Sequence, residues 1–207
     1  MLQAKSLRFT HPGQKPLDYD FQLAAGQKYW VSGPSGSGKS TLLKLLSGLL
    51  IPEEGEVIID GESISDSNCF ALRQKLVYLP QKLTPGPIKV SALFKRIFSL
   101  RANQQLEHRE SEQSKYFEKF RLKESLLEQS YDELSGGEQQ RVALVIALML
   151  RRKIILLDES LSAIDQQLRE IVLKELAEDP ALVLLIAHDQ PQNQDFKAIN
   201  IDELKNN

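Results

Sequence analysis

The segment Gly33-Pro34-Ser35-Gly36-Ser37-Gly38-Lys39-Ser40-Thr41 constrains this chain more than any other. It has the form G-x-x-x-x-G-K-S. It joins a short aromatic and β-branched run, Lys28 to Ser32, to a leucine-rich run, Lys39 to Leu50. That is the strand–loop–helix setting in which such a loop cradles phosphate. The glycines let backbone N–H groups turn inward, and the helix points its positive dipole end at the anion. In this setting Lys39 would reach the β- and γ-phosphates of a nucleotide, and the Ser40 hydroxyl would ligate Mg2+. An ordinary Gly/Ser turn is the alternative, and the placement of strand and helix argues against it.

Around this loop, strands and helices alternate. Leu2 to Phe9 and Asp18 to Leu23 read as strands separated by a turn at Pro12-Gly13. The leucines between Lys39 and Leu50 predict a helix buried on most of its circumference, stopped by Pro52 to Gly55. Val57 to Ile59 and Leu76 to Leu79 read as further strands. From about 82 to 134 the chain turns polar and predicts helices at Ser91 to Leu100 and Glu107 to Phe120. A helix over Arg141 to Leu150, a strand at Ile154 to Leu157, a helix at Gln166 to Ala177 and a strand at Leu182 to Ile186 complete the pattern. The expected fold class is α/β. A largely parallel sheet is flanked by helices, and a helical subdomain is inserted at about 82–134 in one domain spanning 1–207. The tail after His188 is short and polar.

Two further elements carry chemistry. Ile154-Ile155-Leu156-Leu157-Asp158-Glu159 is an apolar strand ending in two acids, at the end of the strand where open α/β sheets bind ligands. Alone, such acids are ordinary strand caps. Paired with the phosphate loop they form a Walker B element, in which Asp158 holds Mg2+ through its hydration shell and Glu159 orients and deprotonates the attacking water. Leu134-Ser135-Gly136-Gly137-Glu138 opens a helix, and its Ser-Gly-Gly offers a second set of phosphate donors.

At this point the chain resembles the ABC ATPases, whose LSGGQ signature lies between the two nucleotide motifs as it does here. The resemblance covers nearly the whole chain and implies a P-loop NTPase fold with an N-terminal antiparallel β part. Under it Gln81 matches the Q-loop glutamine that approaches the metal and the water. Leu161-Ser162-Ala163-Ile164-Asp165 resembles the D-loop, and His188 matches the switch histidine that contacts the γ-phosphate. The family stacks adenine on an aromatic ahead of the phosphate loop, and His11 stands in the matching place with a smaller face. Two other departures are Ser160, where many transport subunits have Pro, and Glu138, which replaces the last residue of LSGGQ. Trp30 reads as core packing.

The family sandwiches two ATP molecules between two head-to-tail domains, so the resemblance implies ATP and Mg2+, a second copy of the chain, and a membrane permease on a separate polypeptide. Composition agrees. With net charge −2 and 42% hydrophobic residues, the chain has no basic stripe for nucleic acid. Its longest apolar runs, Val142 to Leu150 and Ala181 to Ala187, are far short of the ~20 residues that span a bilayer. The first residues lack a signal-peptide pattern, and Cys69 has no partner for a disulfide. The expected location is therefore cytoplasmic, peripheral on the cytoplasmic face of the inner membrane. An ABC ATPase serving a soluble complex, such as iron–sulfur assembly, is the alternative reading.

Overall fold

The computed structural model describes residues 1–65, 67–106, 108–187 and 194–205. Along the chain the elements are β1 (Leu2–Phe9), β2 (Leu17–Leu23), β3 (Lys28–Ser32), α1 (Lys39–Leu46), β4 (Glu54–Ile59), β5 (Glu62–Ser63), α2 (Cys69–Arg73) and β6 (Leu76–Leu79). There follow α3 (Val90–Phe98), α4 (Glu110–Lys119), α5 (Gly136–Met149), β7 (Ile154–Asp158), α6 (Gln166–Glu178), β8 (Leu182–Ile186) and β9 (Lys197–Asn200). Two compact units form: residues 1–78, 152–159 and 179–207 make the first, and 79–151 with 160–178 the second.

The first unit holds both sheets. A four-stranded sheet runs in the order β2-β1-β4-β5 with antiparallel pairing throughout. A five-stranded sheet runs β6-β7-β8-β3-β9, and the pairs β7–β8, β8–β3 and β3–β9 are parallel. Every residue of β7 and β8 is buried, which is why both read as continuous apolar runs instead of alternating ones. Leu42, Leu43, Leu45 and Leu46 of α1 share one apolar cluster with residues of both sheets, so the helix that follows the phosphate loop is clamped from two sides. Trp30 is buried with its ring edge-on to Phe196.

Helix α1 ends four residues earlier than the leucine pattern predicts. Ser47 is its C-cap and Gly48 takes φ +68. The Gly48 N–H donates to Leu45 O and the Leu49 N–H to Lys44 O, the paired bonds of a left-handed helix stop that favours glycine. Leu49, released from the helix, is 49% exposed. The polar tail also holds a strand the sequence reading missed. In β9 the apolar Ile199 is buried, and the strand extends the parallel sheet beyond β3.

The second unit is helical. Phe94 and Phe98 of α3, Phe117 of α4 and the nearby Phe120 are all buried. The imidazole of His108 stacks on Phe94 and Phe98, and its Nε2 lies 2.6 Å from Gln113 Oε1. Helix α5 begins five residues before Arg141, because Ser135 caps it, and Val142 through Met149 are buried on every face of the helix. Among the described residues no helix is long and apolar enough to cross a membrane.

Candidate functional site

In the first unit β3 delivers the chain to residues 33–38, and α1 starts at Lys39. Gly38 is the N-cap of α1, with φ +97 and no side-chain cap. A Cβ there would lie 2.5 Å from Tyr19 Oη, so glycine is required by space as well as by φ. Tyr19 is fully buried and donates its hydroxyl to Gly38 O over 3.1 Å, bracing the loop from β2.

Lys39 is 6% exposed, and its ammonium bridges its own loop, donating to Gly33 O at 2.8 Å and Pro34 O at 2.9 Å. The Ser37 hydroxyl is buried and without a hydrogen-bond partner among the described residues. An orphaned donor inside a glycine-rich loop is what an absent anionic ligand leaves behind, since buried polar groups are otherwise satisfied. Loop, lysine and orphan together fit a nucleotide's phosphates.

At the other side of the loop, Ser40 Oγ donates to Asp158 Oδ1 over 2.9 Å, and the Tyr78 hydroxyl donates to Asp158 Oδ2 over 3.2 Å. Asp158 ends β7 and is 4% exposed. Burial pushes its carboxyl above the ordinary 3.8, against the two hydroxyl bonds and with help from the neighbouring Glu159 charge. A hydroxyl and one carboxylate are hard oxygen donors. They suit Mg2+, which takes few protein ligands and completes its shell with phosphate and water. Among the described residues no cluster of three His, Cys, Asp or Glu side chains could hold a metal without such help.

Glu159 follows with φ +49, left-handed backbone in a residue other than glycine. Its N–H donates to Ile186 O of β8 over 3.0 Å, which pins this conformation. Strain of this kind, ~1–3 kcal/mol, persists where the surroundings impose it and gathers at functional sites. His11 also lies beside the loop. Its Nε2 is 2.9 Å from Thr41 Oγ1, and its ring sits edge-on to Phe9.

In the second unit Ser135 and Glu138 form a reciprocal capping box at the start of α5. Leu134 beside them is buried. Gly136 and Gly137 make the first turn, and a Cβ on Gly137 would meet Ala163 O at 2.8 Å. The segment holding Ser162 and Ala163 is fastened to the same helix by Gln140, which donates to Ser162 Oγ and accepts from the Ala163 N–H. Asp165 accepts the Leu168 N–H at the head of α6. Gln81, exposed, borders a cavity of about 520 Å3 with Tyr131, Gly136, Gln140, Ser160 and Ala163.

The structure thus gathers the residues of 33–41, His11, Asp158 and Glu159 in one unit, and Gln81, residues 134–138, Ser162, Ala163 and Asp165 in the other. His188 lies outside the described residues. Sequence reasoning missed Tyr78, Tyr19 and Gln140. Each acts through a single hydrogen bond or pair of bonds that no periodicity reports. The available signal for Tyr78 was a hydroxyl-bearing aromatic at a strand end.

A family model described as ABC transporter matches residues 17–162. The probable iron export ATP-binding protein FetA of Escherichia coli strain K12 is 32% identical over 200 residues, covering 93% of this chain and 86% of its own length. The ergothioneine transport ATP-binding protein EgtV of Helicobacter pylori strain G27 is 36% identical over 198 residues, covering 91% and 90%. Among solved structures, the dimeric ATP-binding cassette MJ0796 in a post-hydrolysis state bound to ADP and Pi superimposes with TM-score 0.74. It is 27% identical, over 91% of this chain and 88% of that one.

Proposed function

Because this chain belongs to the ABC transporter family, we propose that its phosphate loop, Asp158 and Glu159 form one half of an ATP site that a second copy closes. The chain is an ATP-binding, ATP-hydrolysing subunit that energises transport. The observation that carries the residue assignment is the Ser40–Asp158 pair at 2.9 Å, with Glu159 next in the chain and Lys39 one residue before Ser40.

Each residue then has a task. The Lys39 ammonium exchanges the carbonyls of Gly33 and Pro34 for oxygens of the β- and γ-phosphates, a substitution that keeps its positive charge paired. The Ser37 hydroxyl and the N–H groups of Ser35, Gly36, Gly38 and Lys39 supply further donors. Ser40 and Asp158 offer the oxygen ligands. They would hold Mg2+, which would supply positive charge against the charge that develops on the phosphates during transfer. Glu159 accepts a proton from water as its oxygen attacks the γ-phosphorus and the bond to the β–γ bridging oxygen breaks, releasing ADP and phosphate. Gln81 and His188 orient that water and the γ-phosphate.

Ser135, Gly136 and Gly137 of a second copy supply the remaining phosphate donors, so ATP closes the pair and hydrolysis releases it. A permease on a separate chain rides on this cycle at the cytoplasmic face of a membrane. The cargoes named for the two relatives, iron and ergothioneine, differ in chemistry, while the roles assigned to residues here all concern nucleotide. Cargo choice therefore belongs to the permease. A soluble complex such as one for iron–sulfur assembly has no observation in its favour.

The test is Glu159→Gln, which keeps the size of the side chain and removes the base. Turnover should fall by ~10²–10⁴. Added ATP should shift the variant from monomer to dimer in sedimentation, and Ser135→Arg in the same chain should prevent the shift. Turnover at the wild-type rate in Glu159→Gln overturns the assignment.

A further inference from the structure

The carboxylate of Asp158 is held by two hydroxyls from different elements, and only one of them belongs to the phosphate loop. Ser40 Oγ reaches Oδ1 from the first turn of α1, and the Tyr78 hydroxyl reaches Oδ2 from β6. Strand β6 neighbours β7 in the parallel sheet, so the backbone fixes Tyr78 beside Asp158 whatever occupies the loop. Tyr78 is half-buried, and its hydroxyl is tied to Asp158 by this bond.

A carboxylate rotates easily about its last torsion, because that torsion has only broad, two-fold preferences. Mg2+ demands near-octahedral geometry at short range and tolerates misaligned ligands poorly. The donor on Oδ2 leaves Oδ1 turned toward Ser40, where the metal's protein ligands converge. Ser40 Oγ can turn a lone pair to the metal while its O–H still donates to Oδ1, and the Tyr78 bond holds the other oxygen, so that the two hydroxyls together fix the carboxylate plane. A hydrogen bond to an ionised acceptor is also stronger than one between neutral groups.

We propose that Tyr78 is a positioning residue that sets the plane of the Asp158 carboxylate and thereby strengthens the metal-dependent part of nucleotide binding. This rests on the assignment of Ser40 and Asp158 as the residues that hold the metal. It predicts an effect on metal-dependent affinity that leaves metal-free affinity alone. A residue that merely packed in the sheet would change both together, or neither.

The experiment measures binding of a fluorescent ATP analogue to the full chain in excess Mg2+ and in EDTA, for the wild type and Tyr78→Phe. The variant keeps the ring and removes the hydroxyl. Its affinity in EDTA should match the wild type, and its affinity in Mg2+ should be weaker by about ten-fold or more, the effect of one lost hydrogen bond to a charge. Electron paramagnetic titration with Mn2+ and ATP should show the same loss directly as free Mn2+. In an Asp158→Asn background, Tyr78→Phe should have no further effect, because the bond acts through the carboxylate. Equal affinities of wild type and Tyr78→Phe in Mg2+, or equal losses in Mg2+ and EDTA, overturn the proposal. Absence of any Mg2+ effect in the wild type instead overturns the ligand assignment on which it rests.

Discussion

The Ser135 hydroxyl donates to Glu138 Oε2 over 2.6 Å, and the Ser135 N–H donates to the same oxygen over 3.0 Å. The Glu138 N–H closes the box on Ser135 Oγ at 3.4 Å. The residue that departs from the LSGGQ pattern therefore holds the serine of that pattern. These bonds, the hydroxyl first, keep the Glu138 carboxyl below its ordinary 4.5.

A carboxyl whose folded pKa is depressed stabilises the fold above its unfolded value, and that contribution is lost as pH falls through the lower folded value. Glu138→Ala should cost about 1 kcal/mol at pH 7, the usual worth of a helix cap. The difference between wild type and variant should persist down to about pH 4.5 and shrink below it. Thermal unfolding of both proteins from pH 7 to pH 3 checks it. A difference that grows on acidification contradicts the sign.

Lys39→Ala removes the point charge on the β/γ-phosphates and two bonds to loop carbonyls. ATP hydrolysis should be abolished and nucleotide binding sharply weakened. The fold should survive, because the hydrogen bonds lost are worth only about 1 kcal/mol each. A coupled ATPase assay and circular dichroism on the same preparation separate the two effects.

Glu159 occupies left-handed backbone at φ +49, a conformation that glycine adopts without steric penalty. Glu159→Gly should therefore raise stability by up to about 1 kcal/mol while abolishing hydrolysis. Denaturant unfolding beside an ATPase assay reads both. A loss of stability would mean that the Glu159 side chain contributes more to the fold than its backbone strain costs.

The imidazole of His11 is tied by Nε2 to Thr41 Oγ1 at 2.9 Å, which holds the ring next to the nucleotide loop. His11→Tyr should tighten ATP binding by up to about 1 kcal/mol through a larger stacking face, and His11→Ala should weaken it. Inorganic triphosphate, which has no base to stack, should be insensitive to the Tyr change. Calorimetric titration with both ligands distinguishes stacking from an effect on the loop.

The sequence by itself determined the elements whose cause is local. The glycines and lysine of 33–41 specify a phosphate loop because backbone turning and a helix N-terminus are short-range properties. The unbroken apolar runs of β7 and β8 mark buried parallel strands because each residue of such a strand must be apolar. Ser135 announces the start of α5 because a cap acts within one turn. The tertiary structure alone decided the rest. It recruited Lys197–Asn200 as a parallel edge strand, since pairing with β3 supplies the partners that a polar tail does not announce. It put Tyr78, 80 residues away in the chain, on the second oxygen of Asp158. Strand order sets that meeting, and strand order is a property of how the whole sheet packs, which no window of sequence contains.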